Sequence, residues 1–269
     1  MAAKYEQMWD RPLSGDDRAC EVPHWAGNVC FVVLGFLCKI LWRYKVVNRR
    51  ALRAFEGKSG VVLVGNHTSF LDVIFAWLST RPSQWVRFMA RDNLFPVAKG
   101  MAGWLFSRVG AFPVSRDSAD RTSLKRAARM LKNKEVVGIF PEGTRRGKSG
   151  TAPKLHAGAA LIARMGKAPM LPFTVRNAEL IKCKGQRVRF PKVSVEFGEP
   201  VYLESFDFLP KADRLEACTW YVMRECFALS LRIPAERVDM VELFPESVDY
   251  TAVFAEHPIV SPEFADTES

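Results

Sequence analysis

His67 and Asp72, five residues apart, are the pair in this chain best suited to moving a proton. Histidine titrates near neutrality, and a neighbouring carboxylate can fix its tautomer and stabilise the imidazolium as it forms. Of the four histidines, His24, His67, His156 and His257, only His67 has a β-branched run behind it (Val61-Val62-Leu63-Val64) and an acid shortly ahead. In α/β proteins a catalytic base usually stands at the carboxyl end of a strand, where the sheet opens to a ligand. Ser69 is near enough to be weighed as a nucleophile. However, a serine at a helix start is ordinarily a cap, and no Gly-x-Ser-x-Gly elbow surrounds it.

A second cluster follows another apolar run. Gly138-Ile139-Phe140-Pro141 leads into Glu142-Gly143-Thr144-Arg145-Arg146-Gly147-Lys148. An arginine offers a planar fork of donors matched to phosphate oxygens, and free N–H groups in a glycine turn add to it. Most arginine pairs in loops are only solvated surface. Here the chain loses regular structure directly behind a buried strand, with Glu142 at the same edge, and that favours a phosphate site. Gly110 to Arg116 delivers another arginine at a strand end, a weak signal alone. Pro169 to Val175 reads equally well as a pocket wall or as plain structure.

The elements that must position these groups alternate. Strands are predicted at Val61–Val64, Trp85–Met89, Gly110–Val114, Val136–Phe140, Met170–Val175 and Val193–Phe197. Helices are predicted at Phe70–Leu78, capped by Thr68 or Ser69, and at Asn93–Arg108, Ser118–Lys132, Leu155–Met165 and Asp213–Leu231. Asn93–Arg108 reads as a core helix in preference to a ligand-contacting or membrane-facing surface. Alternation on this scale predicts an α/β fold, a mostly parallel sheet flanked by helices. We divide the chain into an N-terminal segment with a membrane-associated helix (1–56), a central domain (57–232) and an acidic C-terminal tail (233–269).

The net charge of +10 is uneven. Residues 233–269 carry nine acids against one base, which leaves +18 on residues 1–232. So basic a body attracts polyanions: nucleic acid, anionic headgroups or phosphorylated metabolites. No nucleic-acid-binding motif is present, so nucleic acid is not an expected partner. Between Trp25 and Trp42 an apolar stretch interrupted by Lys39 is followed by Arg43, Lys45, Arg49, Arg50 and Arg53. Its uninterrupted apolar part, Val29 to Cys38, is well short of the ~20 residues that span a bilayer. Tryptophans at both ends and cations beyond one suit a helix in or on one leaflet, with the arginine side cytoplasmic if it spans. The six cysteines show no metal or redox spacing, so neither disulfide nor structural metal is expected.

Together the motifs resemble those of the glycerolipid acyltransferases typified by 1-acylglycerol-3-phosphate acyltransferase. Asn66-His67-Thr68-Ser69-Phe70-Leu71-Asp72 matches the family's Asn-His-x-x-x-x-Asp. Gly110 to Arg116 is similar to its second block, Phe140 to Arg145 stands as its complete Phe-Pro-Glu-Gly-Thr-Arg, and Pro169 to Val175 is similar to its proline-bearing strand. The resemblance covers roughly Val61 to Tyr202. It implies transfer of a fatty acyl group from acyl-CoA or acyl carrier protein, as co-substrate and without a cofactor, to the hydroxyl of lysophosphatidic acid, or alternatively of another lysolipid or lipid alcohol. His67 and Asp72 would be catalytic, and Arg116, Glu142, Gly143, Thr144 and Arg145 would bind the acceptor. Membrane lipids and the acyl donor would be the partners. One departure is His156, near the place where many relatives carry a lysine.

Overall fold

The computed structural model describes residues 3–13, 22–81, 84–115, 120–143, 153–182 and 185–259. In chain order its elements are α1 (Ala3–Glu6), α2 (Trp25–Trp42), β1 (Lys45–Val47), α3 (Arg49–Arg53), β2 (Val61–Gly65), α4 (Asp72–Thr80), β3 (Val86–Arg91), α5 (Met101–Arg108), β4 (Phe112–Val114), α6 (Arg121–Lys132), β5 (Val136–Ile139), α7 (Gly158–Gly166), β6 (Met170–Arg176), β7 (Ser194–Phe197), α8 (Arg214–Leu231), α9 (Met240–Leu243) and α10 (Thr251–Glu256).

The strands form one sheet in the order β1-β7-β6-β2-β5-β3-β4. β2, β3, β4, β5 and β6 run parallel, whereas β7 is antiparallel to β6 and carries β1 with it. Successive side chains of a strand point to opposite faces. Accordingly Val61 and Leu63 enter one core with Phe75, Trp77 and Leu78 of α4, while Val62 and Val64 enter the other with residues of α6, α7 and α8. With both faces covered, β2 is buried throughout, as a near-continuous apolar run in a parallel sheet requires.

Some expectations are corrected. α4 begins at Asp72, two residues later than predicted. No continuous helix spans 93–108: two 3-10 turns, Asp92–Leu94 and Val97–Gly100, precede α5. Ala98, Lys99 and Gly100 have φ of 54°, 56° and 85°, a left-handed stretch no α-helix accommodates. Nor is this a core helix, because Val97, Met101, Trp104 and Leu105 are exposed. β1 and α3 were not foreseen; β1 is three residues of an outer strand within a basic run. Beyond α8 the acidic segment docks, with Val238, Met240, Phe244, Tyr250 and Phe254 buried in the α8 layer.

The N-terminal residues are also tied down. Glu135 and Arg87 form a fully buried ion pair, Arg87 donates to the Arg11 carbonyl, and the Leu13 N–H donates to Glu135 Oε1 at 3.3 Å. Burial pushes the Glu135 carboxyl up and the Arg87 guanidinium down, and each is opposed by the charge of the other. α2 lies lengthwise on the domain, with Phe31 against Trp77 and Trp42 against Phe75. Its outer side, including Trp25, Val29, Val33, Phe36 and Ile40, is exposed. Trp25 meets Trp104 of α5 at 5.9 Å, which joins the two exposed apolar surfaces.

Candidate active site

β2 ends at Gly65, where the ring of Phe173 from β6 crosses so closely that a Cβ would lie 2.6 Å from it. The absence of a side chain there lets the strand tip pass under the ring. Asn66, the next residue, is buried and accepts a hydrogen bond from Thr174 Oγ1 at 2.8 Å. That bond fixes the backbone just before His67. The following turn folds back so that three donors converge on one oxygen, Asp72 Oδ2. They are the N–H groups of Thr68 at 2.8 Å and Ser69 at 2.7 Å, and His67 Nδ1 at 3.1 Å. Asp72 itself is wholly buried as the first residue of α4. With Nδ1–H given to the carboxylate, Nε2 is left as the basic atom. Ser69 Oγ accepts from the Leu71 N–H at 3.3 Å and so closes the turn, but neither it nor Thr68 is the expected helix cap: α4 starts later, its N-cap is Leu71, and no side chain caps it.

β5 is the neighbour of β2, and Val64 stands opposite Ile139, so the two tips are adjacent. Phe140 stacks on the His67 ring with centroids 4.3 Å apart and planes at 21°, and Phe88 stacks behind it. The imidazole is thus oriented from two sides, by a carboxylate at its edge and a ring on its face. Beyond Phe140 the chain turns tightly: the Gly143 N–H donates to the Phe140 carbonyl, and the His156 N–H to the Pro141 carbonyl. Gly143 has φ +63°, which a glycine adopts without strain. Glu142 is buried beneath this turn. His156 is exposed ahead of α7, as a helix-start residue.

Thr144, Arg145 and Arg116, which the family resemblance implies would bind the acceptor, lie outside the described residues. The chain reaches the Arg116 segment at Ser115, at the carboxyl end of β4. That strand is three places from β2, about 14 Å at the usual strand spacing. Asp120 brackets the segment, since it accepts from the Ser115 N–H at 3.1 Å and caps α6 through the Ser123 N–H at 3.0 Å. Burial raises the Asp120 carboxyl, but the hydrogen bonds from Ser123 and Ser115 outweigh it and hold the group below its ordinary value.

The structure therefore pairs His67 with Asp72 at the tip of β2 and places Glu142 and Gly143 just beyond the adjacent tip of β5. Sequence reasoning missed Thr174 and the orienting ring of Phe140. Thr174 had a signal: it is the one hydroxyl in the otherwise apolar run Met170 to Val175. Among the described residues no group of three or more His, Cys, Asp or Glu side chains is placed to hold a metal ion. A partly exposed base oriented by a buried carboxylate can deprotonate a hydroxyl.

A family model described as Acyltransferase matches residues 43–176. The 1-acyl-sn-glycerol-3-phosphate acyltransferase of Bacillus subtilis (strain 168) is 35% identical over 194 residues, 71% of this chain and 89% of its own length. An enzyme of the same name from Streptococcus pneumoniae is 30% identical over 141 residues, 52% of this chain and 49% of its own length. The crystal structure of the 1-acyl-sn-glycerophosphate acyltransferase PlsC from Thermotoga maritima superposes with a TM-score of 0.54. The match covers 80% of this chain and 84% of that one; at 20% identity it is a likeness of fold.

Proposed function

The chain belongs to the 1-acyl-sn-glycerol-3-phosphate acyltransferase family and is an acyltransferase, and we propose that it acylates the free hydroxyl of lysophosphatidic acid, giving phosphatidic acid. The donor is an acyl thioester, acyl-CoA or acyl carrier protein. The observation that carries this reading is the His67–Asp72 hydrogen bond beside the β5 tip. His67 Nε2 takes the proton of the acceptor hydroxyl as its oxygen bonds to the thioester carbonyl carbon. The tetrahedral adduct then expels the thiolate, which recovers that proton from the imidazolium. The acceptor's own alcohol fills the place of a serine nucleophile, so no acyl-enzyme is required.

Arg116 and Arg145 hold the acceptor phosphate in this reading, with Glu142, Gly143 and Thr144 shaping the turn around it. The membrane supplies the lysolipid. α2 is 18 residues, about 27 Å at the helical rise and close to a hydrocarbon core of about 30 Å. Length and composition would allow it to cross. Its lengthwise packing against α4 favours a helix lying in one leaflet at the cytoplasmic face, with the exposed α5 residues beside it.

The test is acyl transfer by the purified protein with an acyl thioester, comparing lysophosphatidic acid with a zwitterionic lysolipid and a neutral lipid alcohol. We expect thiol release and phosphatidic acid only with the first. Release with a different acceptor alone would assign another member of the same enzyme class, and release with none would overturn the reading. Arg145→Ala is expected to raise KM for lysophosphatidic acid, and an unchanged KM would remove Arg145 from the phosphate site.

A further inference from the structure

We propose that the groove between α2 and α4, remote from the catalytic edge, binds one anionic glycerophospholipid of the leaflet as a resident lipid rather than as substrate. The inference rests on the membrane-associated reading of α2 but concerns a different site from the acyl-transfer centre. The groove holds about 400 Å3. Its floor is apolar, from Phe31, Gly35 and Leu78, and its cations are Lys39, Arg49 and Arg81. α4 begins at Asp72 beside the catalytic histidine. Leu78 and Arg81 are about 9 and 13 Å further along its axis, so the groove lies at the opposite end of that helix from the chemistry.

Charge complementarity identifies the headgroup. Among the described residues no carboxylate lines the groove, and the sequence from Trp25 to Phe55 contains six Lys and Arg residues and no acid. The cations are also held in place. Lys39 Nζ donates to the Tyr44 carbonyl at 3.1 Å, and the Arg81 guanidinium lies 3.7 Å over the Trp85 ring while donating to Asn28 Oδ1. The Arg49 guanidinium lies at the Tyr44 hydroxyl, and its buried Nε makes no hydrogen bond. A phosphate offers these three cations the anionic oxygens that the groove's neutral acceptors do not supply. The apolar floor identifies the rest of the ligand. The groove opens on Val32 and Phe36, each about two-thirds exposed on the face of α2 assigned to the leaflet. An acyl chain continues that surface inward, which a soluble phosphate cannot do.

The experiment measures binding to phosphatidylcholine vesicles with and without phosphatidylglycerol, together with native mass spectrometry for retained lipid. Arg49→Gln is expected to cut the preference for phosphatidylglycerol about fivefold, the usual weight of one cation at a membrane surface. Arg53→Gln, an exposed cation of α3 outside the groove, is expected to cut it less than twofold. Gly35→Leu fills the floor, and a Cβ at that position meets only Leu78 at 3.8 Å, an ordinary contact. It should abolish the retained phosphatidylglycerol while leaving binding to phosphatidylcholine intact. Equal losses for Arg49→Gln and Arg53→Gln, or lipid retained in Gly35→Leu, would overturn the site in favour of diffuse surface charge. Absence of any anionic preference in the wild type would overturn it outright. Because the readout is binding, failure of the acyl-transfer assay leaves this result interpretable.

Discussion

His67 is held at its edge by Asp72 and on its face by Phe140, so each partner governs a different aspect of the base. Asp72 sets which nitrogen carries the proton and balances the imidazolium charge, while Phe140 limits rotation of the ring. His67→Ala is expected to lower kcat by ~10²–10⁴-fold with KM for the thioester little changed, measured by thiol release. Asp72→Asn keeps an oxygen for the Thr68 and Ser69 N–H groups but loses the charge. It should cost at least ~10² in kcat while circular dichroism stays that of the wild type. A variant at either position with full activity would remove the base mechanism. The His67–Asp72 pair was legible in sequence because both residues lie on one short turn. The Thr174–Asn66 bond and the Phe140 stack were not, because they join strands 108 and 73 residues apart whose adjacency only the sheet order determines.

At the level of elements, strand cores were legible and their ends were not. Val61, Val136 and Met170 open apolar runs that burial on both faces demands, so existence and type followed from composition. The 93–108 stretch failed for a local reason: its apolar residues fit a helical period, but the backbone leaves the right-handed region at Ala98, Lys99 and Gly100. Asp120 shows what an element end can contribute. It caps α6 and binds the Ser115 N–H, and so fixes both ends of the segment carrying Arg116. Asp120→Ala is expected to destabilise the fold by about 1 kcal/mol and to raise KM for the phosphate-bearing acceptor. Its folded-state carboxyl is held below the ordinary value, so its contribution is complete above the unfolded pKa, about 4, and is lost as pH falls through the folded value. Urea unfolding should therefore separate variant from wild type at pH 7, and the gap should close as the pH falls through the folded value. A gap that persists in acid would show that the carboxylate charge is not what stabilises the cap.

Across the whole molecule the N-terminal residues do two jobs, and the two can be separated. Residues 11–13 close over the buried Arg87–Glu135 pair at the sheet, whereas α2 presents an apolar outer face. Removing one partner of a buried pair leaves the other charge unpaired. Glu135→Ala should thus cost roughly 3–5 kcal/mol in urea unfolding, and a loss below 1 kcal/mol would show that the pair does not fasten the strap. Deleting residues 1–45 would remove the strap and also uncover Phe75 and Trp77, so loss of membrane binding in that variant would be confounded by unfolding. Val33 and Ile40 avoid the confusion. Both are at least half exposed, they stand one heptad apart on the same side of α2, and neither lines the basic groove. Each side chain contributes ~1.5–3 kcal/mol when taken from water into hydrocarbon. Val33→Glu with Ile40→Glu is therefore expected to shift the membrane partition coefficient at least ~10²-fold towards solution, with the thermal midpoint within ~2 °C of wild type. Flotation with vesicles reads the first quantity and calorimetry the second. Unchanged partitioning would move the membrane contact off α2, leaving the exposed Met101 and Trp104 of α5 as the surface to test next.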